Sequence, residues 1–124
     1  MENKELNVFG EELQSCSCNP LTGWFRDGFC RYDENDNGNH SICCVMNENF
    51  LKYSKSQGND LITPVPQYNF PGLKEGDLWC VCLRRWKEAL DDGLAPLVKL
   101  ESTNIVVLNL VSLELLKQYQ YIKN

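Results

Sequence analysis

Apolar residues recur along this 124-residue chain in short runs, and the period of each run points to a different element. From Leu78 to Leu83 they alternate: Trp79, Val81 and Leu83 fall on one side, Leu78, Cys80 and Cys82 on the other, which is the two-residue period of a strand. Ser41 to Met46 is short, apolar and β-leaning. Arg84 to Asp92 carries the helical period, with Leu83, Trp86, Ala89 and Leu90 on one stripe, and Gly93 and Pro96 stop it. Asn47 is placed to cap a helix over Glu48 to Gln57, whose Phe50, Leu51 and Ser54 share a side, with Gly58 as its stop. Ser112 caps a last helix running to Tyr119, with Leu113, Leu116 and either Leu115 or Tyr119 packing inward. A further strand is expected over Leu97 to Leu100. Residues 103–111 fit a strand by their β-branched content and a short helix by a Thr103 cap, and the pattern leaves both open.

The remaining segments are punctuated rather than periodic. Residues 6–9 and 13–16 read as short extended pieces around a turn at Gly10. Asn19-Pro20 and Thr22-Gly23 are turn signals. Trp24-Phe25-Arg26, Asp27-Gly28 and Phe29-Cys30-Arg31-Tyr32 predict a hairpin, because Asp-Gly suits a tight turn with positive φ; Cys30 then lies opposite Phe25. Pro64, Pro66, Pro71, Gly72 and Gly76 make residues 59–76 a long loop. The expected fold class is α+β: a compact single domain over residues 1–124, with short strands, about three helices, a long proline-rich loop, and frayed ends at 1–5 and 120–124.

Charge and composition narrow the partners. A net charge of −5 and a pI near 4.8 argue against a nucleic-acid partner, which selects a basic face. The one basic cluster, Arg84, Arg85 and Lys87, is interleaved with Glu88, Asp91 and Asp92, as on a solvated helix face. No apolar run approaches the roughly 20 residues that span a bilayer, and the first residues lack the apolar stretch of a signal peptide. The expected protein is cytoplasmic, with no membrane or nucleic-acid partner and room for a small molecule or a protein.

That compartment matters because the chain has seven cysteines and one histidine. A reducing cytosol keeps thiols free, so clustered cysteines there indicate metal, reactivity or burial rather than disulfides. Cys16, Cys30, His40, Cys43, Cys80 and Cys82 form the candidate thiol cluster. Zinc is normally held by four thiolate or imidazole ligands, often from Cys-x2-Cys. Here the pairs are Cys16-x-Cys18 and Cys80-x-Cys82, so a site from His40, Cys43 and two further thiols is permitted by the donors, yet no cofactor is the preferred expectation. Thioredoxin-type exchange uses Cys-x-x-Cys at a helix start; Cys82 does precede a helix and two arginines. Buried cysteines acting as small hydrophobes are the reading given most weight. Asp33-x-Asn35-x-Asn37-Gly38 matches half a calcium loop, but Cys44 stands where the bidentate Glu belongs, and calcium is rejected. Arg26, Asn59, Asp60, Asp77, Trp79, Arg85, Trp86 and Glu88 are the candidate ligand-binding residues, since convergent polar groups beside aromatics line small-molecule sites.

Four stretches carry a resemblance: Asn19-Pro20 with Thr22-Gly23-Trp24-Phe25-Arg26-Asp27-Gly28-Phe29-Cys30; Gly58-Asn59-Asp60-Leu61 with Thr63-Pro64; Phe70-Pro71-Gly72-Leu73-Lys74 with Gly76-Asp77; and Trp79-Cys80-Val81-Cys82 with Arg85-Trp86-Lys87-Glu88-Ala89. Together the chain from Asn7 to Lys117 resembles the small, mainly bacterial, uncharacterised family catalogued as domain of unknown function 2237. The resemblance implies no activity. It sorts the cysteines: Cys16, Cys30, Cys43, Cys80 and Cys82, with His40, fall on positions like the family's pattern, while Cys18 and Cys44 do not. The family tends to show Thr-His where this chain has Thr103-Asn104, so a mechanism needing a second histidine does not transfer. The expectation is a small-ligand or partner-binding module, with a cleft near Cys30, Cys80 and Cys82 walled by the proline-rich loop. The alternative is a thiol-dependent or metal-dependent enzyme using the same cluster.

Overall fold

Two strands pair antiparallel in the computed structural model, which describes residues 5–122. They are β1 (Ile42–Val45) and β2 (Leu78–Val81), and their register sets Cys43 opposite Cys80 and Cys44 opposite Trp79. The backbone groups of Cys43 that point away from β2 are met from the other side: its N–H donates to the Thr103 hydroxyl at 3.1 Å, and its carbonyl accepts from Lys99. On the outer edge of β2 the N–H of Cys80 donates to the Thr22 hydroxyl at 2.9 Å. Buried ladder edges are thus closed by threonine side chains, as buried backbone donors require.

Three α-helices form, the first and last behind the expected N-caps. α1 (Glu48–Ser56) starts where the Asn47 side chain accepts from the Phe50 N–H, and it buries Phe50, Leu51 and Ser54. Glu48 in its first turn and Lys55 in its last suit the helix dipole. α2 (Leu83–Asp91) begins one residue earlier than its sequence pattern, which ends β2 at Val81 and leaves Cys82 as the cap. It buries Leu83, Trp86 and Ala89. α3 (Leu113–Gln118) is capped by Ser112 and buries Leu116. Helices and a two-stranded antiparallel sheet make a small α+β arrangement. Among the described residues no helix is long and apolar enough to cross a membrane.

Several expectations are corrected. Leu97–Leu100 is not a strand. Residues 97–99 lie along the outer edge of β1 through two hydrogen bonds and a single bridge at Val98, and the chain then turns into a 3-10 turn at Leu100–Ser102. Residues 103–111 hold a 3-10 helix, Ile105–Asn109, capped by Asn104 rather than Thr103; the Thr103 hydroxyl is engaged with Cys43 and Lys99. The Trp24–Tyr32 hairpin does not form. The N–H of Gly28 donates to Thr22, and its carbonyl accepts from Cys16 and Ser17, so this segment pairs back onto residues 16–17 instead of folding on itself. Near the ends, Glu5 accepts from Tyr32 and Asn104, and the Tyr121 N–H donates to Val98. The other end residues, 1–4 and 123–124, lie outside the described residues.

The largest correction concerns the thiols. Cys16 is disulfide-bonded to Cys43, and Cys30 to Cys80. Because Cys43 and Cys80 are cross-strand partners, their side chains share one face of the ribbon. The N-terminal loops bring Cys16 and Cys30 to that face, at Cα separations of 5.8 and 5.3 Å, within the span of a bridge. The four half-cystines and Leu78 form a small apolar cluster of their own. Cys44 points to the opposite face, into the main core with Ile42, Phe50 and Trp86, where burial pushes its thiol pKa well up.

The bridges close sequence separations of 27 and 50 residues. Chain entropy then predicts about 4 kcal/mol of stabilisation from each. Replacing Cys30 and Cys80 together by alanine, or Cys16 and Cys43 together, is expected to lower the unfolding free energy by about that amount in guanidinium titrations. A loss below about 1 kcal/mol would show that the loops are held without them.

Candidate functional site

Beside β2 lies a cleft built by three loops. The first is the turn from Thr22 to Gly28. Gly23 has φ of +101°, and a Cβ there would stand 2.3 Å from the Phe29 carbonyl oxygen, so only glycine fits. This turn presents Trp24 and Arg26. The Arg26 guanidinium lies over the Trp79 ring, 5.1 Å from its centroid. Its Nη1 donates to the Gly23 carbonyl at 2.7 Å, while its Nε is buried with no hydrogen-bond partner. Burial lowers the pKa of this arginine from its ordinary value.

The second loop is the proline-rich segment. Val65 and Phe70 bridge around a 3-10 turn at Pro66–Tyr68, with Asn69 left-handed at its end. Phe70 meets Trp79 edge-on at 5.2 Å. Val65, Tyr68, Asn69 and Phe70 wall a cavity of about 440 Å³ that Trp24, Arg26, His40, Asp60, Trp79 and Cys80 complete. Asp60 stands at its rim with its carboxylate engaged: bonds from the Thr63 hydroxyl and from the Ile62 and Thr63 N–H groups lower its pKa.

The third loop runs from Asp33 to His40. Asp36 is buried, and its carboxylate grips His40 twice: one oxygen accepts from the backbone N–H at 2.8 Å, the other lies 2.7 Å from Nδ1. The His40 ring stacks near Trp24 at a centroid distance of 6.3 Å. The Leu83 N–H donates to the Asn39 carbonyl, tying this loop to the start of α2. A smaller recess of about 190 Å³ adjoins here, lined by Gly38, His40, Asn59, Leu61, Trp79, Val81, Cys82 and Arg85. Cys82 carries a free thiol and is half-buried.

The structure divides the candidate residues. The sulfurs of Cys16, Cys30 and Cys80 lie within 4.8 Å of one another, and Cys43 joins them through its bridge. As disulfides they offer no thiolate, which is the form that binds zinc. The expected zinc grouping of His40 with Cys43 is not assembled: His40 Nδ1 is held by Asp36, outside the cysteine cluster. Arg26, Asp60 and Trp79 line the larger cavity; Asn59 and Arg85 line the recess. Arg85 also pairs with Glu88 at 3.3 Å, and both border a shallow pocket outside Cys82. Two residues belong elsewhere. Trp86 is fully buried in the core, its indole N–H on the Pro96 carbonyl. Asp77 is spent on the turn before β2, accepting from the Lys74 N–H and pairing with its ammonium. Sequence reasoning missed Asp36, Gly38, Tyr68 and Phe70. The first of these had a signal: a carboxylate four residues before the sole histidine, with a glycine between them.

A family model described as an uncharacterised protein conserved in bacteria matches residues 6–120. No curated protein matches the chain.

Gly38 is the joint between ring and thiol. A Cβ on it would stand 2.8 Å from His40 Cε1 and 3.4 Å from the Cys82 sulfur. Gly38→Ala is therefore expected to push the imidazole off Asp36. In nitrogen-15 spectra of the imidazole, the Nδ1 signal should lose its hydrogen-bonded shift. An unchanged signal would show that the ring is held without this close fit.

Proposed function

Because the chain belongs to that family of uncharacterised bacterial proteins, we propose its function from the cleft: it is a small-ligand-binding protein that takes a planar molecule carrying a negative charge. The observation behind this is Arg26. A guanidinium stacked on an indole, with one buried N–H lacking a partner, is incomplete as it stands. An acceptor brought by a ligand, reached by a small shift of the side chain, completes it. Arginine suits a carboxylate or phosphate because its planar fork donates to two oxygens at once.

The walls supply the planar part. Trp24, Tyr68, Phe70 and Trp79 offer ring faces and edges around the cavity, and Trp24 and Tyr68 are exposed at 43% and 71%. Rings left half in water at the mouth of a concave site are suited to stack on a flat ligand. A volume of about 440 Å³ is within the range that takes a small organic molecule. Zinc is the less favoured occupant of this protein: at the four-cysteine cluster it would need both disulfides reduced first.

Tryptophan fluorescence titration with benzoate, nicotinate and phenyl phosphate, each against its neutral amide or alcohol, tests the reading. The anions are expected to bind and the neutral analogues to bind at least about tenfold more weakly. Arg26→Met should remove the preference, a loss of about 1.5–3 kcal/mol for a charged hydrogen bond. Equal binding of anion and neutral analogue, or none by either, would overturn it.

A further inference from the structure

The recess next to the ligand cavity holds a group of side chains that binding does not require. Its thiol, Cys82, caps the N-terminus of a nine-residue helix whose own cap makes no side-chain hydrogen bond. The imidazole beside it, His40, has its Nδ1 held at 2.7 Å by Asp36, whose side chain is 1% exposed. A Cβ on Gly38 would stand 2.8 Å from His40 Cε1, 3.3 Å from its Nδ1 and 3.4 Å from the Cys82 sulfur, so ring and sulfur flank the same glycine. A purely structural histidine does not need a buried carboxylate and a solvent-reachable ring, and this one is 37% exposed.

We propose that Cys82, His40 and Asp36 act as nucleophile, base and orienting carboxylate in transfer of an acyl group from a small activated ester or thioester. The bond to Asp36 fixes the proton on Nδ1, so the lone pair stands on Nε2 and is available as a base. No hydrogen bond joins thiol to ring in this state, and catalytic bonds often close only when substrate is bound. His40 takes the proton from Sγ as the sulfur attacks the carbonyl carbon, and the carbonyl electron pair moves onto oxygen. In the first turn of α2 the N–H groups of Leu83, Arg85 and Trp86 are bonded, which leaves that of Arg84 to receive this oxyanion. The pair then reforms the carbonyl, the bond to the leaving group breaks, and His40 returns its proton to the departing oxygen or sulfur. A thioester on Cys82 remains. Water attacks it with His40 again as base, releasing the carboxylic acid and restoring the thiol. Every atom and proton is accounted for by substrate and water. The reaction uses no contact to Arg26, although His40 borders both cavity and recess.

The test uses p-nitrophenyl acetate on the Cys18→Ser protein, which removes the exposed free thiol and keeps both disulfides. Mass spectrometry locates the acetyl group, and p-nitrophenolate release is followed from pH 6 to pH 9. The charged neighbours that set this profile are His40, Arg84, Arg85 and Glu88 around the thiol, with Asp36 behind the ring. One acetyl is expected on Cys82, with a rate that already rises below the ordinary thiol pKa of about 8.5. His40→Gln should slow it at least about tenfold, general-base assistance being worth more than that, and move the profile up to that of a plain thiol. Asp36→Asn should do the same more weakly, and serves if the first variant folds poorly. Failure of Cys82 to acetylate, or an unchanged rate and profile in both variants, would overturn the proposal.

Discussion

Cys43 and Cys80 face each other across a four-residue ribbon, and each is welded to a loop that has little structure of its own. Among the described residues, those before Ile42 form no helix or strand beyond isolated bridges. Such a segment loses much backbone entropy on ordering and gains few ladder bonds in return. The two bridges shift that balance by restricting the unfolded chain, and they fix where the loops land. Once Cys30 is tied to Cys80, the Thr22 hydroxyl meets the Cys80 N–H, and the turn bearing Trp24 and Arg26 is set on the outer edge of β2. The cleft wall is a consequence of that cross-link.

The other two walls are tied by backbone bonds of their own. Leu83 reaches Asn39, which places the His40 loop at the start of α2, and Leu73 donates to the Leu61 carbonyl, which closes the base of the proline-rich loop. Trp79 stands where all three meet: Arg26 lies over its face, Phe70 touches its edge, and it borders both cavity and recess. A buried aromatic of this size holds neighbours on several sides, so the polar groups of the site are placed by an apolar residue at their centre.

What could be read from the sequence was local. Asn47 and Ser112 capped helices as their side chains allow, and the alternation at Leu78–Val81 was that of a strand, because a cap or a period depends on residues within one turn or two. What could not be read depended on partners far along the chain. Asp27-Gly28 carries a sound hairpin signal, yet Gly28 is claimed by Cys16 and Ser17, more than ten residues away. Thr103 was a plausible cap until its hydroxyl was wanted by Cys43, sixty residues earlier. The redox state of four cysteines followed from an assumed compartment, whereas their pairing follows from strand register and loop reach. Trp79 and Trp86 looked alike as candidates; one period-2 element and one period-3.6 element send them to the cleft and to the core.

Cys80 and Cys82 show how finely an element boundary decides chemistry. They share a strand face by alternation, and the spacing alone invites a common role. The strand ends at Val81. Cys80, inside the ladder, is held opposite Cys43 and is consumed in a disulfide. Cys82, one step beyond, has φ of −60° and ψ of 124° as the helix cap, which carries it off the ribbon to the loop of His40. There it meets the first turn of α2, in which the Arg84 N–H is left over, and an imidazole whose Nδ1 is held by Asp36. Two cysteines two residues apart therefore sit in opposite settings: one in an apolar cluster as a cross-link, the other a free thiol at a helix N-terminus.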